Sequence, residues 1–499
     1  MALACAGCGG IVVDEQRPGD DAAFEYDALV RDAEAEVLIA FDAHEGSEPP
    51  DPIAPDIGSE TDTAKDVDPE LEVGDATDAH PIGARASWAA TPGSMSITGA
   101  PRIAYDPAGN LVFAALLEND KLVFGSKTIA CPDSAATIVA KLTPDGNVLW
   151  HHCEFRRLMT GRGLAVGPTG NVALALYELD LYKESPTTAD DGYAVTLLDA
   201  AGTRLWSKAG HPLDTTKVAQ ALATFVAGPN LNYFAGMAAP GTDWGGFVTA
   251  SSGFVLVRYR DDGVIAFGRE VALTRTLWNA PSIAADAAGN VFIVGSMEAG
   301  TVDFGAGAKA YPRGVFLASY DSTGAHRFTV TFPGRASLRG VAVSGAQIVV
   351  HGAAESGVLE VAPGGTIVTS PEAAETQFAI GLDAVGGYRW HRAFERQPLF
   401  GDIALDASGA TIAAGTSGSS SSWNVWLDRL DSMGNSTWSG WSASVPPTPS
   451  LTQTAWSVAV AKSGEIAIAG TFMGTLDFGV TKLTTGWTGR PIFLARLAP

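Results

Sequence analysis

The chain has 499 residues, 46% of them hydrophobic and only 17% charged, with 57 glycines, 28 prolines and a net charge of -23. That charge is local: 22 acidic and 3 basic residues lie between Asp14 and His80, leaving 33 acidic and 29 basic residues for the rest. A chain without clustered Lys and Arg is unsuited to a phosphate backbone, so no nucleic-acid partner is expected, and no apolar run reaches the ~20 residues of a membrane-spanning helix.

The first eight residues, M-A-L-A-C-A-G-C, lack the positive and long apolar regions of a complete signal peptide. Their end, Ala6-Gly7-Cys8, is similar to the close of a bacterial lipoprotein signal, in which the cysteine after the cut is lipidated. The reading is therefore a remnant of such a signal over 1–8, with Cys8 the lipidated residue and the true start upstream. A meaningless Ala/Cys/Gly-rich start is the alternative. Residues 9–83 are rich in Asp, Glu, Pro and Ala and poor in aromatics, which predicts a disordered acidic linker. Asp27 to Ala43 could form one short amphipathic helix within it.

From 84 to 499 two signals repeat. One is a branched aliphatic followed by alanine: Ile103-Ala104, Leu164-Ala165, Leu222-Ala223, Ile283-Ala284, Val341-Ala342, Ile403-Ala404 and Val458-Ala459. Each lies in a short alternating segment that reads as a strand. Turns such as Asp106–Asn110 and Asp286–Asn290 (D-P-A-G-N and D-A-A-G-N) follow several of them. The other signal is a glycine four residues before a large aromatic: Gly146/Trp150, Gly202/Trp206, Gly263/Phe267, Gly324/Phe328, Gly386/Trp390 and Gly434/Trp438. Four strands per repeat and seven repeats predict an all-β fold, a seven-bladed β-propeller of four-stranded blades. The seventh repeat stops before its last strand. Arg85-Ala86-Ser87-Trp88 supplies the missing aromatic, so the N-terminal strand is expected to complete the last blade and close the ring.

Asp286 to Gly305, and Lys462 to Gly479 in parallel, carry a longer signature ending in D-F-G. This resembles the bacterial β-propeller repeat of secreted and surface proteins, as in the lipoprotein sets of myxobacteria-like organisms. The resemblance implies the fold and an extracytoplasmic place and carries no catalytic residues. D-x-x-G-x-x-x-W, as in Asp199 to Trp206, is also similar to the tryptophan-docking motif of quinoprotein propellers. That likeness implies inter-blade packing of the tryptophan. It does not extend to the cofactor, because adjacent cysteines are missing.

No catalytic residue, cofactor or metal site is expected. Cys131 and Cys153 form a candidate disulfide, with two buried thiols as the alternative. His151 and His152 are neighbours on a strand and point to opposite faces, which is poor geometry for one ion. The turn aspartates, with Asp303 and Asp477, read as turn caps rather than calcium ligands. Long irregular loops are expected at Leu181–Gly192, Pro240–Gly253, Gly415–Trp423 and Ser442–Thr454, and Trp244 and Trp423 are the candidate ligand contacts.

The functional expectation is a non-catalytic binding scaffold of the cell envelope: a monomer at the outer membrane or secreted, touching the membrane only through a lipid. It would meet an unidentified protein or glycan on one propeller face. The alternative is a polysaccharide-acting enzyme using paired carboxylates at the channel mouth, which would need them about 5–10 Å apart.

Overall fold

The computed structural model describes residues 86–498 except 95–99, 118–120, 132–135, 155–156, 159–162, 179–191, 211–221, 239, 274–281, 356, 363–364, 369–374, 395–398, 420–421, 442–450, 479–480 and 486–490. Cys8 and the acidic segment over 9–83 lie outside the described residues, as does most of the Leu181–Gly192 and Ser442–Thr454 loops.

The protein is a seven-bladed β-propeller. Blade one runs from the inside outward through Arg102–Tyr105, Leu111–Leu117, Ala136–Leu142 and Val148–Glu154, every pair antiparallel. Blades two to six repeat the order, beginning at Leu164, Leu222, Ser282, Ala336 and Leu399. The inner strands of successive blades pack together all the way round, and that of blade seven packs against that of blade one. Blade seven takes three strands from the C-terminal part, Thr454–Val460, Ile466–Thr471 and Pro491–Leu497. Its outer strand is Ala86–Ser94, with Trp88 opposite Arg496. The ring is zipped by strands from its two ends.

The glycine and aromatic repeats are the two halves of one joint. Six of the aromatics, Trp88, Trp150, Trp206, Phe267, Phe328 and Trp390, lie over the turn glycine of the next blade: a Cβ added at Gly202 would stand 2.6 Å from the Trp150 ring, and one at Gly434 2.5 Å from Trp390. Trp88 and Gly146 make the same joint across the closure. These turn glycines have φ between 76° and 86°, where an L side chain is strained. The four indoles among these six donate to the carbonyl two residues before that glycine: Trp88 Nε1 to Pro144 O at 2.7 Å, and Trp150, Trp206 and Trp390 to Ala200, Asp261 and Ser432 at 3.0 Å. Phe267 has no N–H to offer. Arg258 stacks 5.4 Å from its ring and donates to the corresponding Ser322 carbonyl instead.

A second bond reinforces some joints from the third strand. Lys141 Nζ meets Asp106 in its own blade at 2.6 Å and the Ala200 carbonyl of the next at 3.3 Å. Arg496 does the same with Glu465 and Pro144 O.

In blade three the repeat is shifted relative to the sequence alignment. Phe225 pairs with Tyr233 where Ala284 pairs with Phe292, so Thr224-Phe225, and not Leu222-Ala223, holds the aliphatic-alanine position. The cause is the inner turn. Blade three replaces D-x-x-G-N with a tight Pro229-Asn230 turn, in which Asn230 takes φ 58° and exchanges hydrogen bonds with Asp261.

Candidate functional site

Alternating strands put the connections after strands one and three on one face of the ring, and those after strands two and four on the other. The first is a turn face of near-copies. Asp106, Asp286 and Asp406 each accept two backbone amides through Oδ1, and Asp199, Asp321, Asp383 and Asp431 do so in the outer turns. Burial alone would raise the Asp406 carboxyl. Ser408, the Ala410 amide and Arg429 outweigh it and hold the group below the usual carboxylate range.

The second is a loop face, and its connections differ. Among the described residues four carry an extra hairpin, at 122–129, 300–311, 358–368 and 475–484. The D-F-G spelling falls at the tip of such hairpins, as at Asp303-Phe304-Gly305. Phe304 and Phe478 are buried there, as is Phe124, and Asp303 Oδ1 accepts the Gly305 and Gly307 amides. Trp244 belongs to the same class. In Thr242-Asp243-Trp244-Gly245, Asp243 Oδ1 accepts the Gly245 and Gly246 amides at 2.9 and 2.7 Å. The indole is 0% exposed and lies 5.3 Å from the Phe234 ring. Trp244 is therefore a core plug and not a ligand contact, because D-W-G is the blade-three form of D-F-G. Nor is Gly415–Trp423 an irregular loop. Strands Thr411–Ser419 and Ser422–Leu430 run through it as one long hairpin, its polar serines paired through the backbone. Trp423 stands on that hairpin opposite Gly418, with Thr452 alongside in parallel.

Cys131 and Cys153 are joined by a disulfide, which ties the segment before the third strand of blade one to its outer strand. His151 and His152 face Ala140 and Val139 on successive rungs, and His152 meets Glu154 at 3.3 Å. Among the described residues no three His, Cys, Asp or Glu side chains gather as a metal group would.

The channel is the concave feature to which all seven blades contribute. Its cavity of about 230 Å³ is walled by the aliphatic-alanine rows and by Phe225, which stands where other blades have alanine. Every inner strand starts at the loop face, so Arg102, Asp402 and Ser457 stand at that mouth and Tyr105 at the opposite end. Burial pushes the Tyr105 hydroxyl up to about 12. At the mouth Arg102 Nη1 donates to Trp456 O at 2.8 Å, and the Ser457 hydroxyl donates to Asp402 Oδ2 at 3.4 Å. The Ile403 and Val458 amides also donate to Asp402, at 2.9 and 3.4 Å. The Trp456 ring is 36% exposed, and its indole donates to Thr471 Oγ1 at 3.2 Å. Asp402 is the one carboxylate among the lining residues, whereas the glycosidase reading calls for a pair.

Neither Arg102, Asp402 nor Ser457 was singled out in the sequence. Arg102, Asp402 and Ser457 occupy the position just before the aliphatic-alanine pair, and a polar residue there is the signal that marks them.

No protein-family model matches the chain, and no curated protein matches it in sequence. Solved structures resemble it at low sequence identity. The β-propeller domain of the Trilobed protease from Pyrococcus furiosus is 10% identical with TM-score 0.42, over 81% of this chain and 94% of that one. A gluconolactonase from Xanthomonas campestris is 15% identical with TM-score 0.32, over 83% and 100%. The intramolecular trans-sialidase from Ruminococcus gnavus is 9% identical with TM-score 0.35, over 84% and 97%.

Proposed function

We propose that this protein is a bacterial envelope propeller of the secreted or lipoprotein kind, attached through a lipid on Cys8, and that it serves as a non-catalytic scaffold binding a protein or glycan on its loop face. The asymmetry of the two faces carries the reading. The turn face is built from repeated Asp-capped turns whose groups are spent on the joints between blades. The loop face ranges from Gly334-Arg335 between blades four and five to the connection over 355–375 within blade five. Variation concentrated on one side of a rigid ring is where recognition is placed. Exposed apolar side chains stand there at Val248 and Val358, 55% and 54% accessible.

Affinity capture from envelope extract and a glycan array test this with paired variants. Val248→Glu and Val358→Glu on the loop face should abolish capture. Val385→Glu and Met433→Glu, at exposed turn-face positions, should leave it intact. Equal loss from both faces would overturn the assignment. Metabolic labelling with a fatty-acid probe should mark the protein and leave Cys8→Ser unmarked; label retained by Cys8→Ser rules out the anchor.

A further inference from the structure

The inner strands of blades two and four pair on one side only, with the second strand of their own blade, so their other edge faces the channel. On an antiparallel edge strand, alternate residues turn their N–H and C=O groups into the ladder and away from it. The inner turns fix which residues do so. Gly167 N donates to Asn171 O at 2.8 Å, and Asp286 N to Asn290 O at 2.9 Å. Counting back in twos, Ala165 and Ala284 bond into the ladder. Leu164 and Ile283 therefore point their backbone groups away from it.

The ring treats such outward amides in two ways. On blades six, seven and one they are taken up by side chains. Asp402 accepts from Ile403 N and Val458 N at 2.9 and 3.4 Å, and the Ser457 hydroxyl accepts from Ile103 N at 3.3 Å. On blades two and four, no side chain among the described residues reaches the amides of Leu164 and Ile283. Both residues are buried, and both line the same shaft. Buried N–H groups are nearly always paired, so these two face an acceptor from outside the chain.

The surroundings set the class of that acceptor. Its body is small, because about 230 Å³ falls below the roughly 300–1,000 Å³ of sites for drug-sized molecules. That body is aliphatic, since the side chains nearby are Leu164, Ala165, Ile283 and Ala284, with Phe225 of the intervening blade. Its polar group both accepts and donates, because each outward residue presents a C=O beside its N–H. It carries no charge. An ionic head would give up its water beside Arg102 and Asp402, which are already engaged within the protein. A carboxamide meets these terms, with an acceptor oxygen, two N–H donors and no charge.

We infer that the channel wall over blades two to four binds a small uncharged aliphatic carboxamide. Its oxygen accepts from an outward amide, its NH₂ donates to an outward carbonyl, and its alkyl group lies against the aliphatic wall. The site is separate from the outer loops and does not rest on the scaffold reading.

Ligand-observed NMR titration of the unaltered full chain tests this with one branched alkyl body in three forms. Isovaleramide should bind. Isovalerate, an anion, and isoamylamine, a cation, should bind roughly tenfold or more weakly, because neither charge finds a partner in the shaft. Ala404→Phe places in blade six the residue that blade three already holds at this position. It should narrow the shaft and abolish isovaleramide binding, with the melting temperature reporting that the variant is folded. Ala104→Phe repeats the test in blade one if Ala404→Phe does not fold. No binding of isovaleramide, isovalerate bound as tightly, or full binding by a folded variant each overturns the inference. Macromolecular capture on the outer loops does not depend on the result, so the two proposals fail separately.

Discussion

Gly202→Ala isolates the joint between blades. Gly202 and Gly109 occupy the same position of Asp-x-x-Gly turns, at φ 85° and 80°. An alanine at either pays the left-handed cost of about 1–2 kcal/mol. At Gly109 nothing lies within 4 Å of the added Cβ, so the cost ends there. At Gly202 the Cβ would meet the Trp150 ring at 2.6 Å, and the ring must move. Overpacking adds about 1–3 kcal/mol, and losing the bond from Trp150 Nε1 to Ala200 O adds about 1 kcal/mol. The expected difference between the two variants is therefore about 2–4 kcal/mol, with Gly202→Ala the less stable. Urea unfolding followed by tryptophan fluorescence measures it. Two variants within about 0.5 kcal/mol of each other, the usual range of innocuous surface changes, would refute the claim that the glycine is required by the neighbouring tryptophan.

Trp244→Ala should destabilise the protein by about 3–5 kcal/mol as a buried aromatic truncation, while leaving loop-face capture unchanged at temperatures where the variant is folded; a selective loss of capture would restore Trp244 as a contact. Replacing Cys131 and Cys153 together by serine should cost roughly 3 kcal/mol in the same unfolding assay, as expected for closing a loop of this size, and no change would mean the bond constrains nothing. Acid should loosen the turn face. Asp106, Asp406 and Glu465 are lowered in the folded state, by Lys141 and Asn110, by Ser408, Ala410 and Arg429, and by Arg496 and Ser463, each against an opposing burial effect. Their contribution is complete above the ordinary carboxylate range near 4 and is lost as pH falls below it. Lys141→Met should shrink that acid-dependent loss, read from melting temperature against pH; an unchanged profile would exclude the Asp106–Lys141 pair as a source.

The sequence alone specified whatever depends on short-range rules. Seven alternating inner strands, glycine turns and an aromatic four residues on are local patterns with a fixed period, so they show without any knowledge of what they touch. Closure by Trp88 was legible for the same reason, because the repeat was one strand short at one end and one strand long at the other. The tertiary structure decided what the period cannot carry. Trp244 read as a candidate ligand contact until D-W-G proved to sit where blades one, four and seven bury a phenylalanine, and the Pro229-Asn230 turn moved the register of blade three by two residues. The channel mouth was invisible for a stronger reason. Arg102 reaches Trp456 across 354 residues of chain and Asp402 reaches Ser457 across 55, and only the closing of the ring brings one residue from each of three blades around a single opening.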